Sequence, residues 1–178
     1  MKPESIARRV LARVGDPVPA VMLLDGRSGS GKTVLAEALN ASLQGAILHL
    51  DDLYPGWNGL EAGSRAVAEA LQAGTFRRFD WDMMRPAERV SLDRRRPLIV
   101  EGCGAVTARN LLAAGEWAAG ARVHSIWLEC PAPMRRARAL TRDGDMFRPH
   151  WDAWAAQEEA HLAAERPLAL AGEVIHCR

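Results

Sequence analysis

The stretch DGRSGSGKT, residues 25–33, decides the fold of this 178-residue chain. It fits the pattern G-x-x-x-x-G-K-[ST], with an apolar run before it and a helical pattern after it. Glycines let successive backbone N–H groups turn inward around an anion, and the following helix adds the positive end of its dipole. A glycine-rich turn without a ligand would need neither the lysine nor the threonine. We therefore expect this loop to bind the phosphates of a nucleoside triphosphate, ATP, through Gly26, Ser28, Gly29, Ser30, Gly31, Lys32 and Thr33.

The basic residues support a special role for the lysine of this loop. Of 23 basic residues, 21 are arginine, and the only lysines are Lys2 and Lys32. A compact ammonium group differs from a planar guanidinium in how it approaches phosphate. We expect Lys32 to reach the β- and γ-phosphates and the Thr33 hydroxyl to ligate Mg²⁺.

Composition limits the class of protein. Hydrophobic residues make up 48% and charged residues 25%, and the formal net charge is +1, which argues against bulk electrostatic binding to nucleic acid. No apolar run is long enough to span a membrane, and the N-terminal segment has the pattern of an amphipathic helix ending at Gly15 rather than of a secretory signal. Cys103, Cys130 and Cys177 lack metal-type spacing. We expect a cytoplasmic protein with reduced thiols, a monomer or a homodimer.

Short apolar runs alternate with helical patterns along the whole chain. Five runs have the character of buried strands, at 19–26, 46–52, 97–102, 122–129 and 173–177. This alternation predicts one α/β domain over residues 1–178, a three-layer α/β/α fold with a five-stranded parallel sheet. Right-handed crossovers favour the strand order 2-3-1-4-5. Ligands of such sheets bind at the carboxyl ends of the strands.

Carboxylates stand at two of those strand ends. The second run ends in Asp51 and Asp52, and the third ends in Glu101. Neighbouring residues on a strand point to opposite faces, so only one of the two aspartates should face the phosphates. We expect Asp51 to act as general base, and Asp51 or Glu101 to hold the metal together with Thr33. Helix capping by the two aspartates is the alternative.

Two further segments are candidates for the remaining parts of the site. In 131–150, Arg135, Arg138 and Arg142 share one helical face, which predicts a lid whose guanidinium groups stabilise charge on a transferring phosphoryl group. A solvated basic face is the alternative. The second segment, 53–96, is an insert expected to bind the acceptor. Its candidate contacts are Tyr54, Trp57, Asp80 and Trp81, together with Asp52 just before the insert and Arg148 near the end of the segment 131–150. Core packing would explain the tryptophans equally well.

The chain resembles the uridine kinase-like P-loop kinases, relatives of phosphoribulokinase and bacterial pantothenate kinase. The resemblance covers residue 18 to the end and is carried by GRSGSGKT, DDLYPGW, RRFDWD, VEGCGA and RRARALTRDGDMFRPHW. It implies a catalytic aspartate at Asp51 with Tyr54 beside the acceptor, and a substrate-holding aspartate at Asp80. It also implies a strand-end carboxylate at Glu101 and lid arginines at Arg138 and Arg142. Uridine kinases are longer, and FDWD departs from their pattern.

These features predict a phosphotransferase that moves the γ-phosphoryl of Mg·ATP to a hydroxyl of a small acceptor, with a uridine-like nucleoside as the first candidate. One alternative is a kinase acting on a nucleoside monophosphate or another small metabolite. The other is an ATP-binding regulator without catalysis. A GTPase is disfavoured, because the sequence has no N-K-x-D string for guanine recognition.

Overall fold

The computed structural model describes residues 2–177, which form a parallel sheet covered by helices on both faces. The elements follow one another as α1 (Pro3–Val14), β1 (Val21–Asp25), α2 (Lys32–Leu43), β2 (Ala46–His49), α3 (Leu60–Ala73), β3 (Thr75–Asp80), β4 (Arg85–Ser91), β5 (Leu98–Glu101), α4 (Ala108–Ala118), β6 (Val123–Glu129), α5 (Ala132–Phe147), α6 (Trp151–Glu165), α7 (Pro167–Leu170) and β7 (Glu173–His176).

The main sheet has five parallel strands in the order β2-β5-β1-β6-β7. Counting only the strands of this sheet along the chain, the order is 2-3-1-4-5, so the predicted fold class and strand order are confirmed. β1 is the central strand, and all five of its residues are buried. Burial on both sides explains why its first four residues, VMLL, are continuously apolar rather than alternating.

The two faces of β1 belong to two separate cores, since successive side chains of a strand point to opposite faces. Met22 and Leu24 pack with residues of α1 and α2, whereas Val21 and Leu23 pack with residues of α3, α4 and α6. The predicted N-terminal helix is present and ends before Gly15, which caps it with a positive φ. No helix within residues 2–177 has the length and apolarity needed to cross a membrane.

The segment 53–96, predicted as one insert, has two parts. α3 packs against α4 and forms part of the core. The rest is an antiparallel hairpin, β3–β4, which pairs with no strand of the main sheet. The hairpin is therefore the addition to the α/β plan, and the sequence patterns did not predict it.

Asp25, the last residue of β1, ties the central strand to the loop after β5. Its carboxylate is buried and accepts backbone N–H bonds from Gly26 at 2.6 Å, Gly104 at 3.0 Å and Val106 at 2.8 Å. Burial raises the pKa of Asp25, while these three hydrogen bonds oppose the increase. A buried acceptor with three donors fixes the edge of the sheet from which the functional loops emerge.

We expect Asp25→Asn to lower the free energy of unfolding by about 1–3 kcal/mol, because one oxygen becomes an NH₂ group facing backbone donors. Urea unfolding followed by tryptophan fluorescence measures this change. Asp145→Asn is the control, since the Asp145 side chain is fully exposed. Equal stability of the two variants would contradict a bracing role for Asp25.

Candidate active site

The loop between β1 and α2 presents a helix N-terminus without a side-chain cap. α2 begins at Lys32, and Gly31 occupies the N-cap position with a φ of 94° and no side chain to accept the first N–H groups. The space where a Cβ of Gly31 would stand is empty for 4 Å around. Free amides, a helix dipole and open space together fit an anionic group such as a phosphate.

Gly29 is required for a different reason, which is the close approach of the lid helix. Its φ is 79°, and a Cβ at this position would lie 2.1 Å from the backbone oxygen of Arg135 in the first turn of α5. The start of α5 therefore packs directly on the loop.

Lys32 is buried at the floor of a cavity. Its Nζ donates to the backbone oxygen of Arg27 at 3.3 Å and lies 3.5 Å from Cys103 Sγ. Burial opposes the charge of Lys32, but the Cys103 sulfur and the carboxylates of Glu101 and Asp25 outweigh it, so the pKa of Lys32 is raised. The ammonium group is thus charged and held by weak partners that a phosphate can replace.

The side chain of Glu101 connects the end of the loop between β1 and α2 with β2. Glu101 Oε1 accepts from Thr33 Oγ1 at 3.1 Å and lies 2.6 Å from His49 Nδ1. Burial opposes ionisation, but the hydrogen bond from His49 and the charge of Lys32 lower the pKa of Glu101. The same hydrogen bond raises the pKa of His49. His49 was not among the predicted site residues, although it stands two positions before Asp51.

Asp51 lies on the single 3₁₀ turn after β2 and lines the cavity together with Lys32, Thr33 and Glu101. The Asp51 side chain is exposed to the cavity, but the cavity walls limit its hydration. This desolvation and the charge of Glu101 raise the pKa of Asp51. Asp52 instead accepts from Arg78 Nε at 3.0 Å. The two aspartates therefore have different surroundings although both line the cavity, and the prediction from strand alternation does not apply because they lie on a 3₁₀ turn rather than on β2.

These oxygens suit magnesium, a hard cation that prefers carboxylate, hydroxyl and phosphate oxygens. Thr33 Oγ1 and Glu101 are already hydrogen-bonded, and Asp51 lines the same cavity. Within residues 2–177 no three His, Cys, Asp or Glu side chains form a metal cluster. This arrangement fits a metal held jointly by protein and phosphates rather than by a protein cage.

The cavity has a volume of about 490 Å³ and lies between the loop, the hairpin and the lid helix. That size is within the range of small-molecule sites. One wall is aromatic: Trp57 stacks on His150 at 4.3 Å between ring centroids, and Trp57 meets Trp81 at 4.8 Å. Trp81 Nε1 donates to the backbone oxygen of Asp51 at 2.8 Å, so the hairpin is held against the 3₁₀ turn that carries the aspartates.

Several predicted contacts lie elsewhere. The Tyr54 ring lines the cavity, but its hydroxyl donates to the backbone oxygen of Cys103 at 2.8 Å. Asp80 is not among the residues that line the cavity, and its Oδ1 accepts from the amides of Asp82 and Met83, which caps the hairpin turn. Arg148 is also absent from the lining and is exposed beside Asp145 at 3.5 Å.

The three arginines predicted on one face of the lid lie in three different environments, so the idea of a shared basic face is wrong. Arg135 is buried and donates to the backbone oxygens of Cys130 and Ser28. Arg138 lines a second cavity of about 210 Å³ on the other side of Gly31. Only Arg142 lines the main cavity, where it donates twice to the Asp143 carboxylate at 2.7 Å. Non-helical backbone at Gly144 interrupts α5.

The expectation of three reduced thiols is also wrong. Cys130 and Cys177 form a disulfide that joins the residue after β6 to the residue after β7, and both sulfurs lie 3.4 Å from the backbone oxygen of Ser30. Parallel pairing of β6 with β7 brings the two residues together, which spacing in the sequence did not reveal. Cys103 is free and buried.

Comparison with known proteins identifies the family. The family model described as zeta toxin matches residues 6–144, which is more than half of the chain, and the chain belongs to this family. No curated protein sequence matches the chain.

Several solved structures share the fold of this chain. A possible uridine kinase from Bacillus stearothermophilus is 20% identical with a TM-score of 0.58, and the alignment covers 98% of this chain and 97% of that protein. A gluconokinase from Sinorhizobium meliloti 1021 is 19% identical with a TM-score of 0.55, covering 89% and 82%. Shikimate kinase from Acinetobacter baumannii is 16% identical with a TM-score of 0.54, covering 94% and 88%. The predicted resemblance to uridine kinase-like P-loop kinases is confirmed, and at these identities the structures establish the fold.

Cys103 should resist alkylation in the folded protein, because burial raises the pKa of its thiol to about 12. We expect one thiol per chain to react with a maleimide, and only after unfolding in guanidinium without reductant. Thiol counting by mass spectrometry measures this. Three reactive thiols in the unfolded, unreduced protein would contradict the Cys130–Cys177 pairing, and fast labelling of the folded protein would contradict the raised pKa.

Proposed function

We propose that this member of the zeta toxin family is a P-loop kinase that transfers the γ-phosphoryl group of Mg·ATP to a hydroxyl of a small acceptor. The observation that carries the proposal is the meeting of Lys32, Thr33, Asp51 and Glu101 at one cavity. These residues come from three separate segments of the chain, and each has the chemistry that phosphoryl transfer needs. Kinases among the solved structures of the same fold are consistent with this proposal.

The phosphates lie on the amides of Gly29, Gly31 and Lys32 in this proposal, and the Lys32 ammonium group moves from the Arg27 carbonyl to the β- and γ-phosphate oxygens. Thr33 and Glu101, with Asp51 nearby, hold Mg²⁺. When bound, the metal neutralises charge on the β- and γ-phosphates. Arg142 exchanges Asp143 for the transferring group, and it is better placed for this than Arg138, which lines the second cavity. Catalysis by positioning and electrostatics needs no further group.

Asp51 accepts the proton of the attacking hydroxyl in this mechanism. Its raised pKa brings a carboxylate closer to the basicity that general-base catalysis requires. The acceptor occupies the part of the cavity lined by Trp57, Trp81 and the Asp52–Arg78 pair. Aromatic rings and a carboxylate suit a planar ring that carries hydroxyl groups, so a uridine-like nucleoside remains the first candidate.

A phosphorylated acceptor is less well supported. The two arginines that line the main cavity within residues 2–177 are Arg78 and Arg142, and both already pair with carboxylates. Arg142 is assigned to the transferring phosphoryl group, so an acceptor phosphate would have to take Arg78 from Asp52 and Glu88. We therefore propose a neutral hydroxyl compound ahead of a nucleoside monophosphate.

We expect Lys32→Ala to reduce acceptor-dependent release of ADP from Mg·ATP by at least about 100-fold, because Lys32 carries the one ammonium group among residues 2–177 that lines the cavity. The assay is run over nucleosides, nucleotides, pantothenate and sugars. Lys2→Ala is the matched control, since it removes the other lysine of the chain at an exposed position. Wild-type turnover in Lys32→Ala would refute the proposal. Tight ATP binding with no acceptor-dependent ADP would favour the regulator.

We expect Asp51→Asn to lose turnover by a similar factor while binding Mg·ATP within about fivefold of wild type, since a general base acts only in the chemical step. Asp52→Asn is the comparison, because Asp52 pairs with Arg78. Loss of the Asp52 carboxylate should raise the KM of the acceptor more than it lowers kcat. Equal effects of the two variants on kcat would remove Asp51 from the role of base.

A further inference from the structure

Glu158 is a buried carboxylate on α6. Its side chain is 3% exposed, and it lies behind the phosphate-binding loop, outside the main cavity. Burying a carboxylate is unfavourable unless it is paired and hydrogen-bonded. The partners of Glu158 therefore indicate what the buried charge is for.

All the close partners of Glu158 belong to the loop or contact it. Glu158 Oε1 accepts from the Ser28 amide at 2.6 Å, and Oε2 accepts from Arg27 Nε at 2.8 Å. Arg135 Nη1 lies 3.8 Å from Oε2 and donates to the Ser28 carbonyl at 3.2 Å. Cys103 Sγ lies 3.6 Å from Oε1. Glu158 thus binds the first half of the loop from the side opposite the phosphates.

One peptide group connects Glu158 with Lys32. The Ser28 N–H and the Arg27 C=O belong to the same planar unit, and in a trans peptide they point in opposite directions. The N–H is held by Glu158, and the C=O accepts from Lys32 Nζ at 3.3 Å. Fixing one side of the unit fixes the other, so the carboxylate behind the loop determines where the carbonyl in front of Lys32 points.

We propose that Glu158 is a positioning residue that acts through the Arg27–Ser28 peptide to hold Lys32 ready for the triphosphate. This inference rests on the proposed function. Without Glu158 the peptide can rotate, its carbonyl leaves Lys32, and the ammonium group and the following amides must be ordered when nucleotide binds. The cost of that ordering appears as weaker nucleotide binding.

Glu159 provides a matched control from the neighbouring position. It also contacts Arg27, at Nη1, but its side chain is 65% exposed and touches neither Ser28 nor Arg135. We expect Glu158→Ala to weaken binding of the Mg²⁺ complex of β,γ-imido-ATP by about tenfold, and Glu158→Gln by less, since its amide oxygen still accepts from Ser28. Glu159→Ala should bind within about twofold of wild type. Isothermal titration calorimetry measures all three.

A double-mutant cycle separates this role from a merely structural one. In a Lys32→Ala background, Glu158→Ala should change analogue binding by less than about twofold, because its effect passes through Lys32. An equal loss in both backgrounds would overturn the proposal, as would wild-type binding by Glu158→Ala. If the wild-type protein does not bind the analogue, or Lys32→Ala binds it equally well, the proposed function fails and this inference fails with it.

Hydrogen exchange of the wild-type protein gives a test that does not depend on folding of a variant. The Ser28 amide should be protected in the nucleotide-free protein, since its hydrogen is bound to a buried carboxylate. Exchange of this amide at the rate of an unstructured peptide would overturn the proposal.

Discussion

The uncapped N-terminus of α2 is the constraint on which the rest of the site depends. Within residues 2–177 its first amides have no side-chain cap, because Gly31 has no side chain and adopts a positive φ. Such donors destabilise the folded protein unless water or an anion accepts their hydrogen bonds. The surrounding structure keeps the loop in this unfavourable state: β1 fixes its start, α5 packs on Gly29, and Glu158 holds Ser28 from behind. The proposed anion-binding site therefore depends on the backbone of this loop before any side chain contributes.

Sheet topology explains how the remaining groups reach that site. β1 lies next to β5, and β5 next to β2, so their carboxyl ends meet at one edge of the sheet. Glu101 ends β5 and Asp51 follows β2, although 50 residues of sequence separate them. The hairpin and the lid then close the sides of the cavity, with Trp57 and Trp81 between them. Phosphate groups and acceptor would thus meet where strands, hairpin and lid converge.

Local sequence patterns predicted an element well where its structure depends on effects within a few residues. The apolar run of β1 and the helix beginning at Lys32 were both predictable, because burial on two faces and helix propensity act over a few residues. The strand order followed from handed crossovers. Asp51, Glu101 and Lys32 could be selected for the same reason: they stand at strand ends or in a motif, and the fold class says where such positions lie.

Contacts between distant elements were the part that sequence could not supply. Glu158 has no motif around it, and only the packing of α6 behind the loop gives it a role. The pairing of Cys130 with Cys177 depends on the register of β6 with β7. Arg138 and Arg142 are four residues apart in α5, yet they line different cavities. Spacing gives the face of a helix but not what that face meets.

A crystal structure with Mg²⁺ and β,γ-imido-ATP would test the central claim most directly. We expect the β-phosphate on the amides of residues 29–33, Lys32 Nζ on the β- and γ-phosphate oxygens, and the γ-phosphate facing Asp51 with the metal beside Thr33. A triphosphate bound anywhere else, with Lys32 still on the Arg27 carbonyl, would contradict the assignment of this loop and of the site built around it.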